Sequence, residues 1–243
     1  MKSRMVKTVL FTSGKGGVGK STLATTFAKL VASQGEKALI IDFDISLRTL
    51  DIMLDVSSLV LYDWYDVIIG NCEPEDAVIS TERGPDLLAA PHRDIRVTAG
   101  DIKELIANYV SKYDYIVLDC PAGVGEVLEM TLKSSDLAII VSTPDAVCAR
   151  SAAVAAEKAS AAGVNSRLII NRFKKKVTSS GRALSVDDVI DATETQLIGI
   201  VPEDAELALS LLNGELLDVN LPSVQAMSRV FERIKGKYIP LKI

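Results

Sequence analysis

Short, near-continuous apolar runs alternate with longer amphipathic ones from one end of the chain to the other. Val6 to Thr12, Ala38 to Phe43, Leu87 to Ala90, Tyr115 to Leu118, Leu137 to Val141, Leu168 to Ile170 and Gln196 to Val201 read as strands. Because most are continuous rather than alternating, they fit strands covered on both faces. Between them, Leu23, Phe27, Leu30 and Val31 fall at i, i+4, i+7 and i+8 of a helix that Gly35 closes. An Ala-rich stretch from Val147 to Ala162 ends at Gly163 in the same way. This βαβ alternation predicts an α/β fold: a mostly parallel, twisted sheet with helices on both faces. No Pro/Gly/Ser-rich linker, repeat or low-complexity segment interrupts it. One domain over residues 1–243 is expected, closed by a C-terminal helix and tail over 222–243.

Composition narrows the class. The 243 residues include 27 Lys and Arg against 32 Asp and Glu, a net charge of −5, with 48% hydrophobic and 24% charged residues. That balance excludes extended disorder. The longest uninterrupted apolar run has five residues, far short of the roughly 18 needed to span a bilayer. The basic N-terminus has no long apolar region, so no secretory signal is expected there. Cys72, Cys120 and Cys148 show no CxxC spacing and are odd in number, which points away from disulfides or zinc and toward a reducing cytoplasm. His92 is the only histidine; it excludes a multi-histidine metal site and reads as a surface loop residue beside Pro91. A mildly acidic chain disfavours a dedicated nucleic-acid coat but leaves room for a local basic face.

The strongest chemistry lies between the first strand and the first helix. Gly14-Lys15-Gly16-Gly17-Val18-Gly19-Lys20-Ser21 satisfies G-x-x-x-x-G-K-[ST] in the strand–loop–helix context that pattern requires. Glycines let the backbone turn its N–H groups toward an anion, and the helix N-terminus adds its dipole. Lys20 can reach the β- and γ-phosphates, and the Ser21 hydroxyl can hold Mg²⁺. The second lysine, Lys15, is from charge alone either a solvated loop residue or a cation acting across a subunit interface. Asp42 and Asp44 end the second strand, and Asp119 ends another in Tyr115-Ile116-Val117-Leu118-Asp119. Carboxylates at that edge of an open parallel sheet can organise a metal or water, or merely cap the strand.

These motifs together resemble the ParA/MinD family of deviant Walker A P-loop ATPases, most closely its MinD branch. The resemblance covers roughly residues 5–235. It implies an ATPase that binds ATP and Mg²⁺, dimerises in the ATP state, and cycles on and off a surface to position cell division. Lys15 would contact phosphate in the partner subunit, Lys20 would serve its own nucleotide, and Asp44 would position the attacking water. Nucleotide contacts are implied for Gly14, Lys15, Gly16, Gly17, Val18, Gly19, Lys20, Ser21 and Thr22. Asn171, Arg172, Pro202 and Asp204 would bracket adenine, and Ser21, Asp42 and Asp119 would hold Mg²⁺. Asp119-Cys120-Pro121-Ala122-Gly123 is similar to the family's switch II.

The chain also departs from that pattern. Ser46 and Thr49 stand where the branch usually has Gly and Asn. Ser151, Ala152 and Ala153 replace carboxylates used in dimer and partner contacts, which bears on an effector of the MinC/MinE type. The chain ends at Ile243, where a linker to a membrane-inserting amphipathic helix would begin. Met227, Val230, Phe231, Ile234 and Tyr238 form a helical stripe that reads as a domain-closing helix or as one lying on an anionic membrane. Arg167, Arg172, Lys174, Lys175, Lys176 and Arg182 fall in a stretch without carboxylates, a solvated loop or a patch for DNA or lipid phosphate. The alternatives are therefore a ParA-like DNA-partitioning or flagellar-number ATPase, and a nucleotide-gated scaffold with little hydrolysis.

Overall fold

The structure, a computed structural model, describes residues 7–82, 84–93 and 95–241. Val6, the start of the first predicted strand, and Ile243, the end of the predicted tail, lie outside the described residues. Eight strands form one sheet: β1 Lys7–Thr12, β2 Ala38–Asp42, β3 Val78–Ile79, β4 Asp86–Leu88, β5 Tyr115–Asp119, β6 Leu137–Ser142, β7 Asn165–Phe173 and β8 Leu197–Pro202. Their order is β3-β4-β2-β5-β1-β6-β7-β8. Every neighbouring pair is parallel except β3 with β4. The two-residue β3 was absent from the sequence reading because so short a run carries no period.

The helices are α1 Lys20–Ser33, α2 Leu50–Met53, α3 Trp64–Ile68, α4 Ala99–Ala107, α5 Glu126–Leu132, α6 Ala146–Ala161, α7 Lys175–Ser179, α8 Val186–Thr193, α9 Ala205–Leu212 and α10 Pro222–Ile234. Strand side chains alternate between two cores. Val9, Phe11, Ile40 and Val117 point to the face covered by α1 and α10. Leu10, Leu39, Ile41, Ile116 and Leu118 point to the face covered by α4, α5 and α6. Both sets are fully buried, which is why the strands read as continuous apolar runs. Three helices begin with reciprocal capping boxes, Asp63/Asp66, Thr98/Asp101 and Ser185/Asp188, each satisfying backbone donors that a helix start leaves free.

The apolar stripe near the C-terminus belongs to the core. Met227, Val230 and Phe231 are fully buried, whereas Tyr238 is 92% exposed. Phe231 meets Phe27 edge-on at 5.3 Å and Tyr115 at 5.5 Å. Among the described residues no helix is long and apolar enough to cross a membrane. Truncating a fully buried aromatic of this kind costs about 3–5 kcal/mol. Phe231→Ala is therefore expected to lower the urea unfolding midpoint by that equivalent; a loss below about 1 kcal/mol would mean α10 does not close the core.

Candidate nucleotide site

All the loops that matter leave the same sheet edge, because parallel strands bring their C-terminal ends together. β1 runs between β5 and β6, and the loop after it turns directly into α1. Gly17 and Gly19 adopt φ of 80° and 87°, the left-handed region that glycine enters without steric cost. Closeness also demands glycine. A Cβ on Gly14 would lie 2.1 Å from the Ser151 carbonyl oxygen on α6, and one on Gly19 would lie 2.4 Å from the Asn171 amide. That amide donates to the Val18 carbonyl at 2.8 Å, bracing the loop from β7. From β5, Cys120 N–H bonds Phe11 O and Gly123 N–H bonds Ser13 O.

Below the loop, Lys20 is 6% exposed. Its ammonium lies 2.5 Å from Asp119 Oδ1 and donates to Ser21 Oγ at 3.1 Å. Asp119 is fully buried, and its Oδ2 has no hydrogen-bond partner among the described residues. Burial pushes its carboxyl up, against the pull of Lys20 and the Ser21 hydroxyl. Asp42 is the register partner of Asp119 on β2. Burial, and then the charge of Asp119, raise it to about 7. Two buried carboxylates thus share one buried ammonium, a balance that a divalent cation would complete. Hard oxygen donors from Ser21 and Asp119, one of them orphaned, fit Mg²⁺.

The loop after β2 is organised around Asp42. Its Oδ1 accepts the Asp44 N–H at 2.9 Å and its Oδ2 the Leu50 N–H at 3.3 Å. Both oxygens therefore hold backbone, and Asp42 sits one step behind Asp119 as a metal donor. Asp44 is 8% exposed, and its Oδ1 accepts the Leu47 N–H at 3.3 Å. Lys15 is exposed.

The residues expected around a base also meet. A cleft of about 410 Å³ is lined by Gly19, Thr22, Leu23, Asn171, Arg172, Pro202, Glu203 and Asp204, among others. Arg172 sits at φ 52°, and Lys174 pairs with Glu203 at the rim. The Asp204 carboxylate caps α9 through Leu207 N–H and accepts the Ser223 hydroxyl at 2.7 Å. It shapes the cleft while its oxygens are engaged by the fold. Sequence reasoning missed the Ser151 carbonyl and the Asn171 brace, since nothing local marks a contact between residues so far apart. Lys175 and Lys176, read as loop, lie on the short α7, where they and Arg182 are exposed. His92 is an exposed loop residue.

Comparison with known proteins points one way. The family model described as ParA, NUBPL iron-transfer P-loop NTPase, matches residues 4–235. The septum site-determining protein MinD of Synechocystis sp. is 32% identical, over 97% of this chain and 92% of its own length. The MinC:MinD cell division protein complex of Aquifex aeolicus contains a chain that superposes with a TM-score of 0.90 at 33% identity, covering 98% of this chain and 99% of that one. MinD of Pyrococcus horikoshii OT3, complexed with Mg-ADP, superposes with a TM-score of 0.84 at 26% identity, covering 95% and 96%.

The buried carboxylates give a pH signature. Asp42, raised to about 7 from an ordinary value near 3.9, holds a proton in the folded state that the unfolded chain has already lost. Stability without nucleotide therefore falls as pH rises from about 4 through 7. A cation beside Asp119 favours the charged forms and drives that proton off. Binding of Mg²⁺ and ATP near pH 7 is expected to release protons, so calorimetric enthalpies in PIPES and in Tris should differ. Equal enthalpies would show that Asp42 is already ionised.

Proposed function

This chain belongs to the ParA family of P-loop NTPases, in its MinD branch, and from that premise we propose that it positions the division septum by an ATP-driven cycle on a surface. It hydrolyses ATP to ADP and phosphate and uses Mg²⁺. The observation that carries the site assignment is the buried convergence of Lys20, Ser21 and Asp119 at the N-terminus of α1. The backbone N–H groups of Gly14 to Thr22 and the α1 dipole bind the phosphates. Lys20 would serve the β- and γ-phosphates, and the Asp119 carboxylate and the Ser21 hydroxyl would hold Mg²⁺. When bound, the metal neutralises charge developing on the transferred phosphoryl group. Asp44 orients the attacking water, anchored through Asp42. Asn171, Arg172, Pro202 and Asp204 enclose adenine, with the free Asn171 carbonyl oxygen available to the base edge.

Lys15 acts in trans. It is exposed, whereas Lys20 is buried against Asp119, so a second nucleotide facing it gives it a phosphate to meet. In a two-fold dimer that contact occurs twice. Lys20→Ala is expected to abolish turnover, measured as phosphate release. Lys15→Ala is expected to bind ATP nearly normally yet stay monomeric by light scattering and lose about 10³–10⁵ in rate, as trans arginines do. Asp44→Ala should instead accumulate the ATP dimer. Wild-type dimerisation and turnover by Lys15→Ala would reduce Lys15 to a loop charge.

The surface and the effector complete the reading. The homodimer meets an anionic membrane reversibly from the cytoplasm and recruits an effector of the MinC type, as the Aquifex aeolicus relative does in its complex. Because the α10 stripe is buried, lipid contact falls to other residues. The exposed Lys175, Lys176 and Arg182 around α7 favour, as the second reading, a ParA-like grip on DNA phosphates. ATP-dependent co-sedimentation with anionic liposomes is the expected result. ATP-dependent retardation of DNA without liposome binding would move the protein to partitioning, and ATP binding without phosphate release would make it a scaffold.

A further inference from the structure

Trp64 is the only tryptophan in the chain and is 1% exposed. Its indole Nε1–H donates to the Asp42 carbonyl oxygen at 2.8 Å, and its backbone N–H donates to the Ala89 carbonyl oxygen at 3.1 Å. Asp42 ends β2 and Ala89 follows the last residue of β4, and these strands are parallel neighbours. One residue therefore takes the carbonyls of two adjacent strand ends, where the ladder stops.

The Asp42 carbonyl shares a rigid peptide unit with the Phe43 N–H, because the peptide bond is planar. That N–H donates to the Asp119 carbonyl oxygen at 2.9 Å. The unit is thus held at both ends, by Trp64 on one side and by the end of β5 on the other. The Trp64 ring also packs on Phe43 at 5.3 Å. Fixing this plane sets where Asp44, the next residue along, begins. The Asp42 side chain takes up the same task by accepting the Asp44 N–H.

The helix that presents Trp64 is itself clamped. Asp63 and Asp66 close its first turn reciprocally. Arg93 pairs with Asp63 at 3.0 Å and with Asp66 at 2.7 Å, and lies over the Tyr65 ring at 5.4 Å. A five-residue helix has little stability of its own, so this cap and clamp fix where the indole points.

We propose that Trp64 is a positioning residue for hydrolysis: its indole N–H, held by the Arg93–Asp63–Asp66 clamp, fixes the Asp42–Phe43 peptide and so places Asp44. This rests on the reading of Asp44 as the group that orients the attacking water. Trp64 acts through the backbone carbonyl of Asp42. The consequence is a selective loss in the chemical step, because a misplacement of about 1 Å costs roughly 100-fold, while phosphate and adenine contacts stay in place.

Trp64→Phe keeps the ring packing and removes only the N–H. Turnover is measured per nucleotide-binding site, with KM for ATP, beside Asp44→Ala. The expected result is a kcat about 10–100-fold lower with KM within about twofold. A Trp64→Phe kcat equal to wild type, beside an inactive Asp44→Ala, overturns the role of Trp64 alone. A loss shared between KM and the number of binding sites makes Trp64 a packing residue and also overturns it. Wild-type turnover by Asp44→Ala overturns the reading of Asp44 itself, and Trp64 as its positioner with it. Should Trp64→Phe fail to fold, Arg93→Ala carries the test, since Arg93 is 44% exposed and outside the core. It is expected to lower kcat severalfold at unchanged KM; unchanged kcat overturns the clamp.

Discussion

Two carboxylates, Asp42 and Asp119, lie buried at the ends of adjacent strands and share the single buried ammonium of Lys20. Taking charge out of water is costly unless it is matched, and one ammonium cannot match both carboxylates once both are ionised. The imbalance sits at the N-terminus of α1, beside a loop of backbone N–H groups with no acidic residue in the helix's first turn. Every neighbouring feature bears on it. Burial, and then the charge of Asp119, raise the Asp42 carboxyl, while Lys20 engages one Asp119 oxygen and leaves the other unpartnered among the described residues. Mg²⁺ and ATP together supply what the site lacks: a cation for the carboxylates and an anion for Lys20 and the loop.

Holding that arrangement in place requires a close fit around the loop. Gly14 lets the α6 backbone approach, and Gly19 lets the Asn171 amide reach Val18. The phosphate loop is therefore fixed to β7 and α6 as well as to its own strand and helix. The α6 segment with Ser151, Ala152 and Ala153 takes part in this: Ala152 is buried and the Ser151 carbonyl lies against the loop. Small residues in place of the branch's usual carboxylates are compatible with that packing. Asn171 also lines the cleft proposed for adenine, so in that reading one side chain links the base to the glycine loop through Val18.

The two faces of the sheet contribute differently. On one, α1 and α10 meet in the Phe27, Tyr115 and Phe231 cluster, which anchors the middle of the helix that follows the glycine loop. On the other, Trp64 and its clamp hold the end of β2, which leads to Asp42 and Asp44. Rigid packing thus supports the phosphate side and a hydrogen-bonded bracket supports the water side.

By itself the sequence determined the alternation of strands and helices, the parallel sheet, the glycine loop at the start of α1, and the placing of Asp42, Asp44 and Asp119 at one edge. Each of these follows from local periodicity or from a motif whose parts are contiguous. It also placed Asn171, Arg172, Pro202 and Asp204 near one another, through a family resemblance rather than through spacing. Tertiary structure alone decided that Asp42 pairs in register with Asp119, that its oxygens hold backbone N–H groups, and that Asp204 caps α9. The same holds for the buried α10 stripe, which as a pattern suits lipid and core equally, and for the Trp64 indole, which as a letter in the sequence is only a large apolar residue. These are contacts between residues far apart in the chain. Their chemistry depends on direction and distance, which a one-dimensional pattern does not carry and the packed sheet supplies.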